Sequence, residues 1–197
     1  MTEIYIVRHG ETDANARCTI SGIEEIPLNA TGNKQAKLLC DKIKNIRFDV
    51  VYSSPLSRAM DTIAPYLEIH KDIPVHMSYA FIERNFGIWE GLTVAEVKEK
   101  YPEQYLLWMN DYVGYKIDGG ESTVEVSERV GKAIDKILEL HKNKKILIVT
   151  HRGTARSVIA YLLGLDAYKT QLFDIDNASL SIVQLENNKR TLIKLNG

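Results

Sequence analysis

Short apolar runs alternate with amphipathic stretches along most of the chain. Runs rich in β-branched residues occur at Ile4–Val7, Phe48–Tyr52 and Ile146–Val149, the pattern of strands that are covered on both faces. Thr31–Lys44 carries apolar residues at helical spacing, and Ser122–Glu125 has capping-box spacing ahead of a second amphipathic stretch. Strands that alternate with helices predict an α/β fold of three layers, with a mostly parallel central sheet and helices on both faces.

Shorter elements are also predicted. Ser54 has the position of an N-cap and Pro55 that of a first helical residue. The helix that follows them is predicted to break near Pro65, because proline cannot donate a backbone hydrogen bond. The remaining predictions are a short strand over Pro74–Tyr79, helices after Thr93–Glu96 and after Ile146–Val149, and a terminal hairpin of Ser179–Leu185 and Arg190–Leu195 that turns at Asn187–Lys189.

Length and charge exclude several classes of protein. The chain has 197 residues, which predicts a single domain over residues 1–197, since domains commonly hold about 100–200 residues. Its 25 Lys and Arg residues nearly balance 26 Asp and Glu residues, for a net charge of −1. That balance lacks the positive charge of a nucleic-acid or anionic-membrane binder, so we expect neither partner. An anionic substrate must then be held by a local cluster of cations.

Cysteine content and hydropathy indicate a cytoplasmic protein. Cys18 and Cys40 have no zinc spacing and are too few for a disulfide framework. Met1–Glu3 lacks the positive segment of a secretory signal. The longest strongly apolar stretch, Val158–Leu165, is far shorter than the roughly 20 residues that span a bilayer.

Two strand ends carry equivalent histidines. His9 and His151 each lie two residues beyond an apolar tetrad. Ligands of open α/β sheets bind beyond the carboxyl ends of strands, and parallel neighbours lie about 4.8 Å apart, so the two rings are expected to meet over one ligand. Arg8 and Arg58 are expected to project toward the same crevice, with the helix N-termini after Ser54 and His151 adding N–H donors.

This combination predicts a pocket for a phosphate dianion, because guanidinium groups bind phosphate oxygens bidentately. Each residue alone also has an ordinary structural interpretation, as a hydrogen-bonded histidine or an ion-paired arginine. His70, His76 and His141 lack such a context and are interpreted as surface or core residues. The strand ends carry Arg and His where a metal site needs clustered carboxylates, so we predict no metal and no cofactor.

The motifs together resemble the histidine phosphatase superfamily, the phosphoglycerate-mutase-like family. The resemblance runs from about residue 4 to residue 165. It rests on Arg8-His9-Gly10-Glu11-Thr12 with Asn15, Pro27-Leu28 with Gly32, Gln35 and Ala36, Ser53-Ser54-Pro55-Leu56-Ser57-Arg58-Ala59, Glu83 ahead of Phe86-Gly87, Gly119-Gly120-Glu121-Ser122, and Thr150-His151-Arg152-Gly153.

The resemblance implies a role for each matching residue. His9 would take the phosphoryl group as a phosphohistidine, and Glu83 would be the general acid and then the general base. Partial desolvation beside Phe86 and Trp89 would suit Glu83 to that role; the alternative is a surface carboxylate paired with Arg84. Phosphate would be bound by Arg8, Arg58 and His151, assisted by Asn15, Ser21 and Gly22.

The chain departs from the family pattern at two places. Family members often have a small residue at the position of Arg152, whose guanidinium either contacts a second anionic group of the substrate or points away into an ion pair. Under the first interpretation, Arg152→Gly raises KM for a natural substrate and spares a small artificial ester. The aromatic residue that is common two positions before the motif Asn15 is replaced by Asp13.

The short segment after the acid residue favours a phosphatase over a mutase. Only 36 positions separate Glu83 from Gly119, so the segment at about 85–120 is predicted to form a small substrate cap that leaves the site open to water. Phe86–Thr93 is similar to the branch of α-ribazole phosphatases and broad-specificity phosphatases. The expected substrate is therefore a small phosphorylated metabolite, such as α-ribazole 5′-phosphate or a sugar phosphate.

Other interpretations stay open at this point. One is a phosphoglycerate mutase, an isomerase, and another is a non-catalytic protein that binds a phosphorylated ligand. Aromatic residues recur at helical spacing over Tyr101–Tyr115, and they either pack a helix into the core or, at Tyr112 or Tyr115, stack on a sugar or base. The terminal hairpin offers an edge through which a homodimer would pair.

Overall fold

Six strands form one mixed sheet in a computed structural model that describes residues 1–187 and 189–197. They are β1 (Thr2–Arg8), β2 (Val50–Ser53), β3 (Val75–Met77), β4 (Lys145–Thr150), β5 (Leu180–Glu186) and β6 (Lys189–Lys194). Their spatial order is β3-β2-β4-β1-β5-β6. The first four pair in parallel, whereas β5 pairs antiparallel with both β1 and β6. The predicted mostly parallel sheet is confirmed, with a hairpin added at one edge.

Within the part of the chain that the structure describes, seven α-helices and three 3₁₀ turns connect these strands. The turns lie at Tyr79–Phe81, Gly87–Trp89 and Ala167–Leu172. The helices are α1 (Asp13–Ala16), α2 (Ala30–Ile43), α3 (Ser57–Ile69), α4 (Val94–Lys100), α5 (Pro102–Asn110), α6 (Thr123–Leu140) and α7 (Arg152–Leu162).

Alternation along the central strands divides the core into two layers. Ile4 and Ile6 of β1 pack among residues of α6 and α7 on one face of the sheet. Tyr5 and Val7 point to the other face, where α2 and α3 cover them. Successive side chains of a strand point to opposite faces, so a strand that is apolar at every position needs helices on both sides. This three-layer α/β arrangement is the predicted one.

Both predicted capping boxes are present. The Ser122 hydroxyl accepts from the Glu125 backbone N–H at 3.1 Å, and the Glu125 carboxylate accepts from the Ser122 N–H at 2.8 Å. Thr93 and Glu96 make the same reciprocal pair at the start of α4. These bonds satisfy N–H groups that a helix N-terminus otherwise leaves without partners.

The prediction for the start and end of α3 was wrong. Leu56 takes the N-cap position and the helix begins at Ser57, so Pro55 is not its first residue. The Ser54 hydroxyl instead lies 2.8 Å from a ring nitrogen of His151. The helix also continues past Pro65 to Ile69, because residues on its other face are buried against the sheet and offset the lost hydrogen bond. Those buried residues are Arg58, Ala59, Thr62, Ile63 and Tyr66.

The terminal hairpin is present as β5 and β6, which pair from Glu186 and Lys189 onward. Of the predicted turn, Asn188 lies outside the described residues. Among the helices that the structure describes, none is long and apolar enough to cross a lipid bilayer.

Candidate active site

The carboxyl ends of neighbouring parallel strands bring the two predicted histidines together. Arg8 of β1 is in register with Thr150 of β4, so His9 and His151 follow adjacent strand ends. The His9 backbone N–H donates to the Thr150 carbonyl at 2.9 Å. The two ring centroids are 5.0 Å apart, with an angle of 59° between the ring planes.

The His9 ring is held in one tautomer. Its Nδ1 lies 2.6 Å from the Gly10 carbonyl oxygen, and a carbonyl only accepts, so Nδ1 carries the proton. Among the described residues Nε2 has no hydrogen-bond partner, and the ring lines the cavity. Burial, followed by the charges of Arg58 and Arg8, lowers the pKa of His9 to about 3. His9 is therefore a neutral imidazole with a free Nε2 lone pair at neutral pH.

His151 is completely buried and is bonded at both ring nitrogens. Arg58 Nε donates to His151 Nδ1 at 3.2 Å, and the Ser54 hydroxyl lies 2.8 Å from His151 Nε2. Burial is the main cause that lowers the pKa of His151 far below its ordinary value, and the neighbouring positive charge of Arg58 lowers it further. A guanidinium only donates, so Nδ1 is the acceptor and the neutral ring carries its proton on Nε2.

The Arg58 guanidinium binds the loop that contains Gly22 and Glu24 through backbone carbonyls. Its Nη1 donates to the Glu24 carbonyl and its Nη2 to the Gly22 carbonyl, each at 2.6 Å. Gly22 has no room for a side chain there, because a Cβ would lie 2.1 Å from a carboxylate oxygen of Glu90 and 2.5 Å from the Arg84 carbonyl. Gly22 thus contributes its backbone oxygen as an acceptor for Arg58. The Arg58 Nε–H group is directed to His151.

Arg8, which directly precedes His9, is a buried cation that lines the cavity. Its Nη1 donates to the Ile175 carbonyl at 2.6 Å, while its buried Nε has no partner among the described residues. Burial lowers the pKa of Arg8 to about 10, so the group stays charged at neutral pH. A buried guanidinium with unused donors beside a cavity is an arrangement that an anion satisfies.

Glu83 is held by the first turn of α7. Its Oε2 accepts from the Gly153 N–H at 2.9 Å, and its Oε1 from the Thr154 N–H at 3.1 Å. The Arg84 backbone N–H donates to Oε1 at 2.9 Å, but the Arg84 guanidinium turns away to the carbonyls of Tyr112, Tyr115 and Glu121. Glu83 is thus buried as expected, anchored by N–H donors and not by an ion pair with Arg84.

Both helix N-termini that were expected to face the phosphate hold carboxylates of the protein. Glu83 occupies the N-terminus of α7, and a Glu25 carboxylate oxygen accepts from the Ser57 N–H of α3 at 3.1 Å. The N–H groups of Ser57, Gly153 and Thr154 therefore bind protein carboxylates in this structure. A carboxylate at a helix N-terminus gains from the helix dipole, which explains why protein side chains took these positions.

Asn15 and Ser21 lie at the cavity wall. Asn15 Oδ1 accepts from the Thr12 N–H and from Asn177 Nδ2, each at 3.1 Å. The Asn177 amide also donates to the His9 carbonyl at 3.1 Å. These bonds fix the Asn15 amide, whose Nδ2 has no hydrogen-bond partner among the described residues and can donate to a ligand. Nothing in the sequence around Asn177 indicated this contact, since it depends on a loop between β-structure and a 3₁₀ turn.

Arg152 lines the cavity and is also ion-paired. Its Nη2 lies 2.5 Å from Asp174 Oδ1, and half of its side chain is exposed. The structure thus contains the ion pair of the second interpretation. Arg156, one helical turn further along α7, donates to the same carboxylate oxygen at 3.1 Å. Arg156 was not among the residues predicted from the sequence, although its spacing of four from Arg152 places both on one helix face.

The cavity above these groups has a volume of about 460 Å³. Arg58 and His151 are buried and do not line it. The aromatic segment contributes Trp108 and Tyr112 to the wall, whereas Tyr115 stacks with Trp89 at a centroid distance of 6.3 Å. The remaining lining residues are Arg8, His9, Asn15, Cys18, Thr19, Ile20, Ser21, Glu83, Arg84, Phe86, Val94, Thr123, Val126, Arg152, Gly153, Arg156, Thr170, Gln171 and Asn177.

An ion pair behind Glu83 supports its backbone. Arg129 contacts Glu121 through two hydrogen bonds, of 2.9 and 3.1 Å. The same guanidinium donates to the carbonyls of Ala80, Ile82 and Glu83 at 2.7 to 3.1 Å. The glutamate of the Gly-Gly-Glu-Ser motif therefore acts through Arg129 on the chain segment that carries Glu83. Within the described residues, no three His, Cys, Asp or Glu side chains are grouped to hold a metal ion.

The comparisons with known proteins agree with this geometry. The sequence profile of the histidine phosphatase superfamily (branch 1) matches residues 4–197. The chain belongs to this superfamily. The phosphoserine phosphatase 1 of Hydrogenobacter thermophilus is 35% identical over 196 residues, which cover 100% of this chain and 92% of the relative. The metal-independent phosphoserine phosphatase of Arabidopsis thaliana is 34% identical, over 96% of this chain and 79% of the relative.

A solved structure shows the same fold. The α-ribazole phosphatase from Shigella flexneri superposes with a TM-score of 0.92 and 32% identity, over 99% of this chain and 96% of that one. The protein described here is thus a histidine phosphatase, an enzyme that hydrolyses a phosphate monoester. The alternatives of a mutase or a non-catalytic binder are not favoured.

Proposed function

We propose that this histidine phosphatase hydrolyses small phosphate monoesters in two steps, through a phosphohistidine on Nε2 of His9. The observation that carries the proposal is the hydrogen bond from His9 Nδ1 to the Gly10 carbonyl, which leaves Nε2 as the lone pair that faces the cavity. The low pKa of His9, about 3, keeps that lone pair available at neutral pH. A neutral imidazole in this position is a competent nucleophile.

In the first step Nε2 of His9 attacks phosphorus, and the bond from phosphorus to the ester oxygen breaks. Glu83 donates the proton that the leaving oxygen takes. Arg8 and Arg58 hold the non-bridging oxygens, with the amide of Asn15 as a further donor. Buried guanidinium groups act strongly here because the surrounding protein excludes water and the donors are already oriented.

In the second step a water molecule displaces His9 from phosphorus. Glu83, now ionised, takes the proton of that water, and inorganic phosphate leaves. His9 recovers its neutral ring. The bonds from Gly153 and Thr154 hold the Glu83 carboxylate in place during both proton transfers, which supplies the positioning that general acid–base catalysis needs.

We assign His151 an indirect part in phosphate binding. Its two ring nitrogens are bonded to Arg58 and Ser54, and its ring stands 5.0 Å from His9. In this arrangement His151 orients the Arg58 guanidinium and limits the movement of the His9 ring. Direct contact between His151 and phosphate would need one of those two bonds to open.

The segment at about 85–120 serves as a substrate cap within a single domain of residues 1–197. Trp89, Val97 and Ile117 form its small core. The Arg84 guanidinium, which is buried, gathers the segment by donating to the Tyr112, Tyr115 and Glu121 carbonyls at 2.7 to 3.3 Å. Trp108 and Tyr112 then form the wall that a substrate's leaving group meets.

Hydrolysis of p-nitrophenyl phosphate in the presence of EDTA tests the mechanism. Wild-type enzyme should retain its activity with EDTA, and His9→Ala should lose it. Brief mixing with ³²P-labelled substrate, followed by denaturation, should trap a label on wild-type protein that is stable to base and lost in acid. Activity that survives in His9→Ala would eliminate the phosphohistidine, and activity that EDTA removes would point to a metal mechanism.

We further propose a reducing cytoplasm as the place of action and a free small metabolite as the substrate. Cys18 is exposed and Cys40 buried, and both are free thiols, as is usual in a reducing compartment.

Mutase activity is tested by phosphoryl exchange between 2- and 3-phosphoglycerate, which we expect to be far slower than hydrolysis.

A further inference from the structure

Two arginines of α7 extend the positive charge of the site along one wall of the cavity. Arg152 and Arg156 are one helical turn apart, about 5.4 Å along the axis, and both line the cavity. Gly153 and Thr154, which hold Glu83, lie between them in the chain. Burial is the main cause that lowers the pKa of Arg8, and the charges of Arg152 and Arg156 lower it further.

Asp174 positions both guanidinium groups. Its Oδ1 accepts from Arg152 Nη2 at 2.5 Å, from Arg156 Nη2 at 3.1 Å and from the Ile175 N–H at 3.1 Å. Arg156 also makes a long contact of 3.4 Å with Gln171. One carboxylate thus aligns two arginines, and their combined charge leaves one positive charge in excess.

The ion pair with Asp174 does not stabilise the protein enough to explain why Arg156 is buried. The Asp174 side chain is 71% exposed, whereas that of Arg156 is only 12% exposed. Exposed carboxylates gain little from such pairs because water screens them. Arg156 Nε is buried without a partner among the described residues, and a buried unpaired donor opposes folding. The arrangement therefore leaves donors beside the cavity that a ligand can use.

We propose that Arg156, with Arg152 beside it, forms a subsite for a carboxylate carried by the leaving group of the substrate. The inference rests on the proposed function and specifies its substrate class as phosphomonoesters of small hydroxy acids. Arg8 and Arg58 hold the phosphoryl group, and Arg156, which lines the same cavity as Arg8, binds the carboxylate.

Charge selects a carboxylate over the other groups that an arginine binds. The excess of one positive charge at Arg152, Arg156 and Asp174 matches a single negative charge, whereas a second phosphate would bring nearly two. A neutral sugar or base would leave the guanidinium groups without an anion. Trp108 and Tyr112 also line the cavity, and their side chains remain available to the carbon skeleton.

Two matched pairs of substrates test the subsite. O-phospho-L-serine differs from phosphoethanolamine, and 3-phosphoglycerate from glycerol 3-phosphate, in the carboxylate. Wild-type enzyme should prefer the carboxylate member of each pair by about 10- to 100-fold in kcat/KM, the value of a charged hydrogen bond. A wild-type enzyme that shows no such preference would overturn the subsite.

The variant Arg156→Gln tests whether Arg156 causes the preference for substrates with a carboxylate. It should lose about 10- to 100-fold in kcat/KM for the carboxylate substrates and remain within about threefold for phosphoethanolamine and p-nitrophenyl phosphate. Arg152→Gln, at a half-exposed position, should show the same selective loss to a smaller degree. Arg47→Gln removes one charge at a mostly exposed site elsewhere and should leave the rates for all five substrates unchanged.

Failure of the carboxylate subsite and failure of the proposed function would give different results in these experiments. An equal loss for all substrates in both cavity variants would overturn the subsite, while hydrolysis of p-nitrophenyl phosphate that depends on His9 would still stand. Absence of that His9-dependent hydrolysis would instead remove the proposed function, and the subsite with it.

Discussion

Arg58 Nε donates to Nδ1 of His151 at 3.2 Å, and this bond fixes the protonation of a completely buried ring. The two residues come from the start of α3 and the residue just before α7, which follow neighbouring strands of the sheet. Because Nδ1 accepts, the ring proton lies on Nε2 beside the Ser54 hydroxyl. One guanidinium therefore orients a histidine and, through the Gly22 and Glu24 carbonyls, the loop across from it.

Arg58→Lys should lower kcat/KM for p-nitrophenyl phosphate by about 10²- to 10³-fold, as the loss of an oriented donor to a transition state does. Lysine keeps the charge but cannot reach His151 and two carbonyls at once. Steady-state kinetics measures the effect, and a thermal melt verifies that the variant is folded. A folded variant within threefold of wild type would show that charge alone suffices at this position.

Stability should fall on acidification because His9 is neutral in the folded protein. Its pKa is about 3 when folded, against 6.5 for an ordinary histidine, so between these values the unfolded chain binds more protons. The free energy of unfolding then decreases as the pH falls through this window, by up to about 1.4 kcal/mol per pH unit for each such histidine. Urea unfolding at pH 7.5 and pH 5 measures the decrease.

His9→Gln should remove this contribution. Between pH 7.5 and about pH 5, the free energy of unfolding should decrease by about 2 kcal/mol less in the variant than in wild type. The decrease that His151 causes should remain in both proteins. His76→Gln replaces an exposed histidine and should behave as wild type does. Equal pH dependence in wild type and His9→Gln would mean that His9 is protonated in the folded protein.

The sequence predicted the sheet better than the limits of its helices. Strands that are apolar at every position need cover on both faces, and this is a local signal that needs no tertiary information. Pro65 also gave a clear local signal, but burial of neighbouring residues such as Ile63 and Tyr66 outweighed it. Ser54 likewise has the residue type of an N-cap, yet its hydroxyl bonds to His151 from a distant strand end, which local pattern cannot reveal.

In the candidate site, too, local sequence patterns predicted some residues, whereas contacts between distant parts of the chain could not be predicted. His9 and His151 could be placed together because both follow apolar strands, and the sheet register brought them to a centroid distance of 5.0 Å. Asn177 was missed because it lies in an irregular turn and its contacts with Asn15 and the His9 carbonyl span more than 160 positions of the sequence. Glu83 was identified through family resemblance, and its anchoring by α7 became visible only in three dimensions.

Arg129 should act as a positioning residue for Glu83. Arg129→Met removes three bonds to the carbonyls of Ala80, Ile82 and Glu83, so kcat should fall while KM changes little. We expect a loss of about 10-fold, since a displaced catalytic group costs up to about 10²-fold. Arg129→Lys should restore part of the rate. A variant in which only stability falls, with kcat unchanged, would confine Arg129 to a structural role.

Glu83→Gln should distinguish substrates by their leaving groups. A general acid contributes about 10²- to 10⁴-fold where the leaving oxygen needs a proton, as in an alkyl phosphate. The p-nitrophenolate ion leaves without one, so its first step should be affected far less, and phosphohistidine should accumulate because Glu83 no longer activates water. Rapid-mixing kinetics should show a burst of p-nitrophenol in the variant. Glu128→Gln, at an exposed position, is the control. Equal losses for both leaving groups, with no burst, would assign Glu83 to binding and leave the proton transfer to another group.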